Sequence, residues 1–430
     1  MANLNIVKEI KTPSSPYKTN SSIIIIGALF FIFGFVTWLN SVLIPYLKIA
    51  CELNNFQSYL VVTAFYISYL IMALPSAWIL KLTGFKKGMS LGLLVMAVGA
   101  LIFVPAAYNR AYEIFLFGLF VQGTGLAILQ TAANPYITIL GPIESAAKRI
   151  SIMGISNKVA GALAPIVLGA IALKNVDKLV EQLKTMNLAE KVSALNALSE
   201  RVIIPYLIMM VVLILLAVII YYSTLPEVDT DKEDETLAKT NINKKSIFQF
   251  PHLLLGTLAM FLYVGVEVIA GDTVISYAAN FHGIPFATSK FFTTYTLIAM
   301  IVGYIIGIYT IPRYITQEKA LKISAILGIV LGLSAFFTDG FVSVLFISLL
   351  GLANALVFPA IWPLAIADLG RFTKVGASFL IMALAGGAII PLLYGALADR
   401  WNPQSAYLIL LPCYLFILYY ATSGYKIRKK

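Results

Sequence analysis

The chain has 430 residues, of which 60% are hydrophobic and 12% are charged, and its formal net charge is +11. Soluble domains carry about 25% charged residues, so this composition excludes an ordinary soluble protein. Apolar runs long enough to cross a bilayer recur along the whole length, which predicts an all-α polytopic membrane protein. Cys51 and Cys413 lie too far apart in the sequence to indicate a metal or disulfide framework.

Twelve spans are predicted in chain order, separated by turn and charge signals. They cover residues 22–47, 57–80, 88–107, 111–139, 150–173, 203–223, 248–277, 288–311, 319–337, 341–367, 374–397 and 403–424. Residues 174–202 have apolar side chains at helical spacing and are predicted to form an extracytoplasmic amphipathic segment. Residues 224–246 are charged, and we expect them to form a cytoplasmic linker between two six-helix bundles, residues 22–223 and 247–424.

The placement of lysine and arginine predicts the orientation. Most of the 31 such residues fall in the N-tail (1–21), in the connections that follow even-numbered spans, and in the C-tail (425–430). Cytoplasmic segments are enriched in these residues, so both termini are predicted to be cytoplasmic. The excess of lysine and arginine is then explained by membrane topology and by contact with the lipid bilayer, and no nucleic-acid partner is expected. We expect a multi-pass protein of the bacterial inner membrane that works as a monomer.

The two halves of the chain repeat each other. Residues 164–171 (APIVLGAI) align with residues 390–397 (IPLLYGAL), and the same offset places Ser41 opposite Glu267. A parallel repeat of six spans with a charged central connection is typical of major facilitator transporters. In those proteins the substrate site lies near the bilayer midplane between the halves, so the polar residues of the central spans are the candidates for a site.

Two carboxylates, Glu267 and Asp272, interrupt the apolar seventh span. An ionised carboxylate near the bilayer centre costs roughly 2.5–3.5 kcal/mol on insertion scales, so it is retained where it faces a cavity, finds a partner or titrates. On an unbroken helix the two would lie about 140° apart, and they would share a face only if the backbone broke at Gly271. The alternative is a structural, hydrogen-bonded pair. Lys158 in the fifth span is a candidate charge partner, with snorkelling to the inner interface or contact with the substrate as alternatives.

Amide, hydroxyl and indole side chains interrupt the other central spans. The candidate substrate-binding residues are Trp38, Asn40, Ser41, Gln130, Asn134, Asn157, Asn354 and Trp362. Amides offer both donors and acceptors, and aromatic faces pack on the C–H faces of sugars, so this set suits a neutral polyhydroxylated ligand. Each residue has a structural alternative, because amides also bridge helices in membranes and tryptophans also serve packing.

The sequence lacks the signatures of ATP-driven or hydrolytic chemistry. It contains no G-x-x-x-x-G-K-[ST] loop and no H-E-x-x-H motif, and its imidazoles are His252 and His282. These motifs hold phosphate groups and zinc in enzymes. We therefore expect a transporter that is not an enzyme, has no cofactor, and draws on a solute or ion gradient.

Several segments together resemble the fucose–galactose–hexose symporter family of the major facilitator superfamily. They are residues 38–45 (WLNSVLIP), 129–142 (LQTAANPYITILGP), 358–366 (FPAIWPLAI) and 386–391 (GGAIIP). The QTAANP block is the most specific of them and is closest to the glucose/galactose branch. The resemblance implies twelve helices, alternating access, and cation-driven uptake of a neutral monosaccharide such as glucose, galactose or fucose.

Two positions depart from this family. Its fucose/proton members carry an Asp in span 1 and a Glu in span 4, where this chain has Ser41 and Gln130; the glucose/galactose branch also keeps the span 1 Asp. We therefore hypothesise that coupling has moved across the repeat to Glu267. That residue would take a proton or, with Asp272 and unwound carbonyls near Gly271, bind Na⁺. An uncoupled uniporter, a drug or metabolite exporter and a non-transporting sensor are the alternatives.

Overall fold

The computed structural model describes residues 19–139, 146–223, 225, 244, 246–311, 313–369 and 372–429. Over these ranges the chain is helical with short turns and has no strand, so the all-α prediction is confirmed. Most of the predicted N-tail and most of the predicted linker at residues 224–246 lie outside the described residues.

The membrane-spanning helices follow the predicted order. Eleven helical segments in the described part of the chain are long and apolar enough to cross a bilayer, and we number them α1 to α12 because one of them holds two helices. They are α1 (Ile24–Ala50), α2 and α3 (together Asn55–Tyr108), α4 (Tyr112–Ala133), α5 (Ile152–Ala172), α6 (Ile203–Tyr222, the end of the segment Leu188–Tyr222), α7 (Pro251–Phe281), α8 (Phe286–Thr310), α9 (Gln317–Phe337), α10 (Gly340–Ile366), α11 (Val375–Arg400) and α12 (Pro403–Ile427).

Gly84 divides the longest of these segments into α2 and α3. Asn55–Tyr108 has 54 residues, which as one straight helix would be about 81 Å long, far more than a bilayer core of about 30 Å. Gly84 has φ 77° and ψ 171°, a backbone conformation that is essentially restricted to glycine. The chain therefore turns here, between the predicted spans at 57–80 and 88–107.

Three spanning helices are interrupted near their middles. Helix α1 breaks at Leu39, between Thr19–Trp38 and Asn40–Ala50, and Pro45 in its second part cannot donate a hydrogen bond to the carbonyl of Ser41 four residues earlier. Helix α10 breaks at residues 355–356, between Gly340–Asn354 and Val357–Ile366. In α7 the regular helix Pro251–Val268 passes into two wide π-helical turns, Ile269–Thr273 and Tyr277–Phe281, on either side of Val274–Ser276.

The predicted amphipathic segment at residues 174–202 folds into two helices, Val176–Leu183 and Leu188–Glu200. Asn187 caps the second helix in a reciprocal capping box with Glu190. The regular helix of α6 then starts at Ile203. Of the apolar side chains at helical spacing in the first of these helices, Val176 is buried.

The helices form two halves that meet along two seams. In the first half α1 packs on α5 and α3 packs on α4 and α6, while in the second half α8 and α9 pack on α10 and α7 packs on α11. Across the halves, α2 packs on α11 and α5 packs on α8. The repeat seen in the sequence relates α2 to α8 and α5 to α11, so the two seams are pseudo-symmetric copies of each other.

At one end of the molecule an aspartate closes each seam. The Asp399 carboxylate accepts hydrogen bonds from the backbone N–H groups of Asn55 (3.1 Å) and Phe56 (2.7 Å), at the start of α2. In the other seam Asp177 Oδ1 accepts from the backbone N–H of Phe286 (3.0 Å), at the start of α8. Each carboxylate therefore caps a helix N-terminus of the opposite half, where it also meets the positive end of the helix dipole.

Deeper in each seam, a threonine hydroxyl of one half donates a hydrogen bond to a backbone carbonyl of the other half. Thr63 Oγ1 donates to the carbonyl of Ala388 (2.8 Å) and Thr294 Oγ1 donates to the carbonyl of Ala162 (2.8 Å). We call the end of the molecule that holds the two aspartate caps, beside the connections at residues 51–54, 282–285 and 401–402, the closed end. The hydrogen bonds of both seams hold the two halves together at this end.

Candidate functional site

An ion pair joins the two halves at the centre of the molecule. Lys158 Nζ of α5 lies 2.6 Å from Glu267 Oε1 of α7, and the two side chains are only 10% and 12% exposed. Tyr263 lies one helical turn before Glu267 on the same helix. Glu267 is therefore neutralised by a cation from the other half, beside a phenol of its own helix.

Trp38 of α1 packs between the two halves beside this pair. Its indole is 2% exposed, and Lys158 Nζ lies 4.8 Å from the ring centroid, within range of a cation–π contact. A Cβ added at Gly161 of α5 would lie 2.2 Å from the ring, and one at Gly271 of α7 would lie 2.0 Å from it. Glycine is needed at both positions because the ring fills the space. In this conformation Trp38 is a packing residue with no free face for a sugar.

An aromatic row extends the site into α10. Phe358 lies 6.4 Å from Tyr263 between ring centroids, and Trp362 stacks on Phe358 at 5.6 Å and 27°. Phe358 and Trp362 are half-buried, so they present partly open aromatic faces. The row links Trp362 through Tyr263 to Glu267, and it brings together candidates that are far apart in the sequence.

The hydroxyl and amide candidates of α1, α5 and α10 bond mainly to their surroundings. Ser41 is fully buried and donates to the Trp38 carbonyl at 2.8 Å. Asn157 is half-buried and donates to the Phe30 carbonyl at 3.3 Å. Asn354 is buried and accepts from the Tyr414 hydroxyl at 2.7 Å. Each of these has a structural partner in this conformation, as the helix-bridging alternative expects.

The remaining substrate candidates differ in what the structure describes of them. Gln130 is half-buried in α4. Asn40 is 1% exposed, and its Nδ2 has no hydrogen-bond partner among the described residues. Asn134 lies in the helix Tyr112–Ile139, but its side chain lies outside what the structure describes.

Asp272 lies on the first π-helical turn of α7 and is completely buried. Neither of its carboxylate oxygens has a hydrogen-bond partner in the described part of the chain, nor has the hydroxyl of Ser276 one turn further on. The turn packs against the second part of α1 and against α8, α10 and α11. Asp272 is thus a buried acid that has no hydrogen-bond partner among the described residues, located where the two halves meet.

The backbone of this turn is well satisfied, in contrast to the acid. The carbonyl of Gly271 accepts from Thr293 Oγ1 at 2.6 Å, that of Ala270 from Thr296 Oγ1 at 3.4 Å, and that of Ile269 from Thr273 Oγ1 at 2.7 Å. The backbone therefore does not break at Gly271 in this conformation: the helix widens into a π-helical turn and stays closed.

Sequence reasoning missed the residues that complete the site. Tyr263 could have been found because it precedes Glu267 by one helical turn, the spacing at which side chains meet. Thr293 and Thr296 carried no such signal, because their acceptors belong to another helix. Phe358 was part of a recognised segment, but only its stacking on Trp362 gives it a place in the site.

The family model described as Major Facilitator Superfamily matches residues 26–381. A glucose/galactose transporter of Brucella abortus is 36% identical over 400 residues, which cover 93% of this chain and 92% of the relative. The L-fucose-proton symporter of Escherichia coli is 31% identical over 401 residues, which cover 92% of this chain and 91% of the relative.

A solved structure shares the fold along nearly the whole chain. The crystal structure of FucP in the outward conformation superposes with a TM-score of 0.71 and 28% sequence identity, covering 94% of this chain and 99% of FucP. The agreement extends through both halves and confirms a twelve-helix arrangement of this type.

Proposed function

Because this chain belongs to the major facilitator superfamily, we propose that it takes up a neutral monosaccharide by cation symport through alternating access. It is a multi-pass membrane transporter and not an enzyme, and as a relative of bacterial transporters it is a protein of the inner membrane. The proposed substrates are hexoses of the glucose, galactose and fucose type, as the names of the relatives indicate.

One observation carries the proposal: the row of aromatic and charged side chains that ends in the Lys158–Glu267 pair. The half-buried rings of Trp362 and Phe358 suit the C–H faces of a sugar. Asn157 and Gln130 add half-buried amides from the other half of the molecule. A neutral ligand fits a site whose two charges already neutralise each other at 2.6 Å.

The proposed orientation determines which side of the membrane the closed end faces. With both termini in the cytoplasm, the connections at 51–54, 282–285 and 401–402 face the outside. The conformation described above is then closed to the outside. The proposed domain division has halves at residues 22–223 and 247–424, joined through a linker at residues 224–246 that is proposed to be cytoplasmic.

Coupling is proposed to reside in α7. Glu267 and Asp272 are the two acids of the central spans, and Ser41 and Gln130 cannot replace them as titrating groups. Lys158 is their proposed charge partner. Transport would then depend on a proton or sodium gradient, and the protein is proposed to work as a monomer.

The test is uptake of labelled glucose, galactose and fucose into proteoliposomes, with a proton gradient and a sodium gradient imposed separately. We expect accumulation of at least one hexose above its external concentration under one of the two gradients. Equal, gradient-blind equilibration would identify the uncoupled uniporter instead. The absence of flux for all three sugars would overturn the sugar assignment and direct attention to the exporter alternative.

A further inference from the structure

We propose that the coupled ion is a proton and that Asp272, rather than Glu267, carries it. This inference rests on the proposed function and narrows it in two ways, by naming the ion and by choosing between the two acids of α7. It starts from the contrast between them: Glu267 has its charge matched by Lys158 at 2.6 Å, whereas Asp272 has no hydrogen-bond partner within the described ranges.

The surroundings of Asp272 favour a neutral acid in this conformation. The side chain is 0% exposed, and an ionised carboxylate removed from water without a partner is strongly unfavourable, whereas a protonated one is tolerated. Asp272 also lies at the contact between halves, since its neighbour Gly271 packs on Trp38 of α1. Closing the two halves around this residue is therefore favoured when it holds a proton.

The same geometry argues against sodium. A sodium ion in a transporter is coordinated by several oxygens, typically including the free carbonyls of an unwound helix. Here the carbonyls of Ile269, Ala270 and Gly271 each accept a threonine hydroxyl. Thr273 Oγ1 is also engaged with the hydroxyl of Tyr407 at 2.7 Å. Beside the two carboxylate oxygens of Asp272, the Ser276 hydroxyl on α7 has no hydrogen-bond partner in the part of the chain that the structure describes, and it does not complete a shell.

The charged and ionisable groups that act on Asp272 come from few elements. Glu267 lies on its own helix, Lys158 lies on α5 and is paired with Glu267 at 2.6 Å, and the buried phenols of Tyr59 and Tyr66 lie on α2. The stretches of α8 and α10 that pack on the turn, residues 292–310 and 340–354, contain no charged residue. The charged residues on the facing parts of α1 and α11 are Lys48, Asp399 and Arg400. They lie at the closed end, where Lys48 Nζ donates to Asn55 and Asp399 caps α2.

The proton step balances without any further reactant. When the two aspartate caps are broken and the site faces the outside, a proton from the outer water forms an O–H bond with a carboxylate oxygen of Asp272. Sugar binding and closure of the two seams then bury the neutral acid. Once the site is open to the cytoplasm, the same O–H bond breaks and the proton leaves to water, so one proton accompanies each sugar in the same direction.

The test measures proton movement directly in sodium-free proteoliposomes that contain the full-length protein. A mixture of glucose, galactose and fucose is added without an imposed gradient, and the pH of the outer medium is followed. We expect the wild type to make the medium more alkaline as sugar enters. Asp272→Asn, which resembles the neutral acid, should lose this signal but still exchange labelled sugar between the two sides. The control Glu113→Gln, at an exposed position of α4, should behave as the wild type.

A second measurement does not depend on a variant that folds. An apolar carbodiimide reacts with protonated carboxyl groups in apolar surroundings, and the modified residues of the wild type are identified by mass spectrometry. We expect modification of Asp272 and protection of Glu267 by its ion pair. Modification of Glu267 instead of Asp272 would overturn the proposal, as would sugar entry without alkalinisation or alkalinisation that survives in Asp272→Asn.

The proposed sugar transport and the assignment of the proton to Asp272 are distinguished by different outcomes. If the wild type accumulates sugar only under a sodium gradient, the symport proposal stands and the proton assignment is wrong. If the wild type moves none of the three sugars, the proposed function fails, and the carbodiimide measurement still decides whether Asp272 holds a proton.

Discussion

The Lys158–Glu267 pair shows how a sequence-level interpretation changes once contacts are known. An acid in a membrane span indicates coupling, and Glu267 occupies the position related by the repeat to the acid that this chain lacks at Ser41. In the structure, however, Glu267 meets a lysine of the other half at 2.6 Å. Replacing Glu267 alone would remove a titrating group and also leave Lys158 buried without a counter-charge. The single variant therefore cannot separate coupling from structure.

A double variant separates the two effects. Removing one partner of a buried ion pair costs about 3–5 kcal/mol because the other charge is left uncompensated, whereas removing both is often nearly neutral. We expect Glu267→Gln and Lys158→Gln each to lower the melting temperature of the purified protein. The double variant Lys158→Gln/Glu267→Gln should recover most of that loss. Losses that simply add in the double variant would mean that the pair does not stabilise the contact between halves.

At the scale of elements, the site depends on the close approach of α1 and α7. The wide turn Ile269–Thr273 presents Gly271 to the ring of Trp38, while Gly161 of α5 covers the other side of the ring. This contact keeps the second part of α1 against α7. Any side chain at residue 271 must push the two helices apart.

This packing predicts a large effect from one methyl group. In Gly271→Ala the new Cβ would lie 2.0 Å from Trp38, and overpacking of this kind typically costs about 1–3 kcal/mol. We expect a lower melting temperature and reduced sugar uptake. The matched control is Gly154→Ala on α5, where the nearest atom is 3.7 Å away, and it should be neutral or slightly stabilising. Equal behaviour of the two variants would contradict the packing described here.

Helix order was largely predictable from the sequence, whereas the shape of α7 was not. Apolar runs and turn signals act locally, so the spans were found to within a few residues, including the turn at Gly84. The π-helical turn at Ile269–Thr273 is stabilised by Thr293 and Thr296 of α8, and no local pattern reveals such partners. For the same reason the partner of Lys158 could be named only as some carboxylate, since Glu267 lies on a different helix in the other half.

On the scale of the whole molecule, the two seams form the barrier that transport has to open. Each has one aspartate cap and one threonine-to-carbonyl bond, and the repeat relates one set to the other. Because each cap joins a side chain of one half to the backbone of the other, the caps cannot survive when the halves separate. Alternating access therefore requires both caps to break once in every cycle.

A reversible cross-link at the closed end tests this requirement most directly. Asn55 Nδ2 lies 2.7 Å from Asp399 Oδ1, so the double variant Asn55→Cys/Asp399→Cys brings two thiols together across one seam. The native cysteines interfere little, because burial raises the pKa of the Cys51 thiol to about 11 and Cys413 is buried. We expect oxidation to stop hexose uptake and reduction to restore it, while both single-cysteine variants stay active under oxidation. Undiminished uptake by the fully cross-linked protein would contradict transport by alternating access through this end.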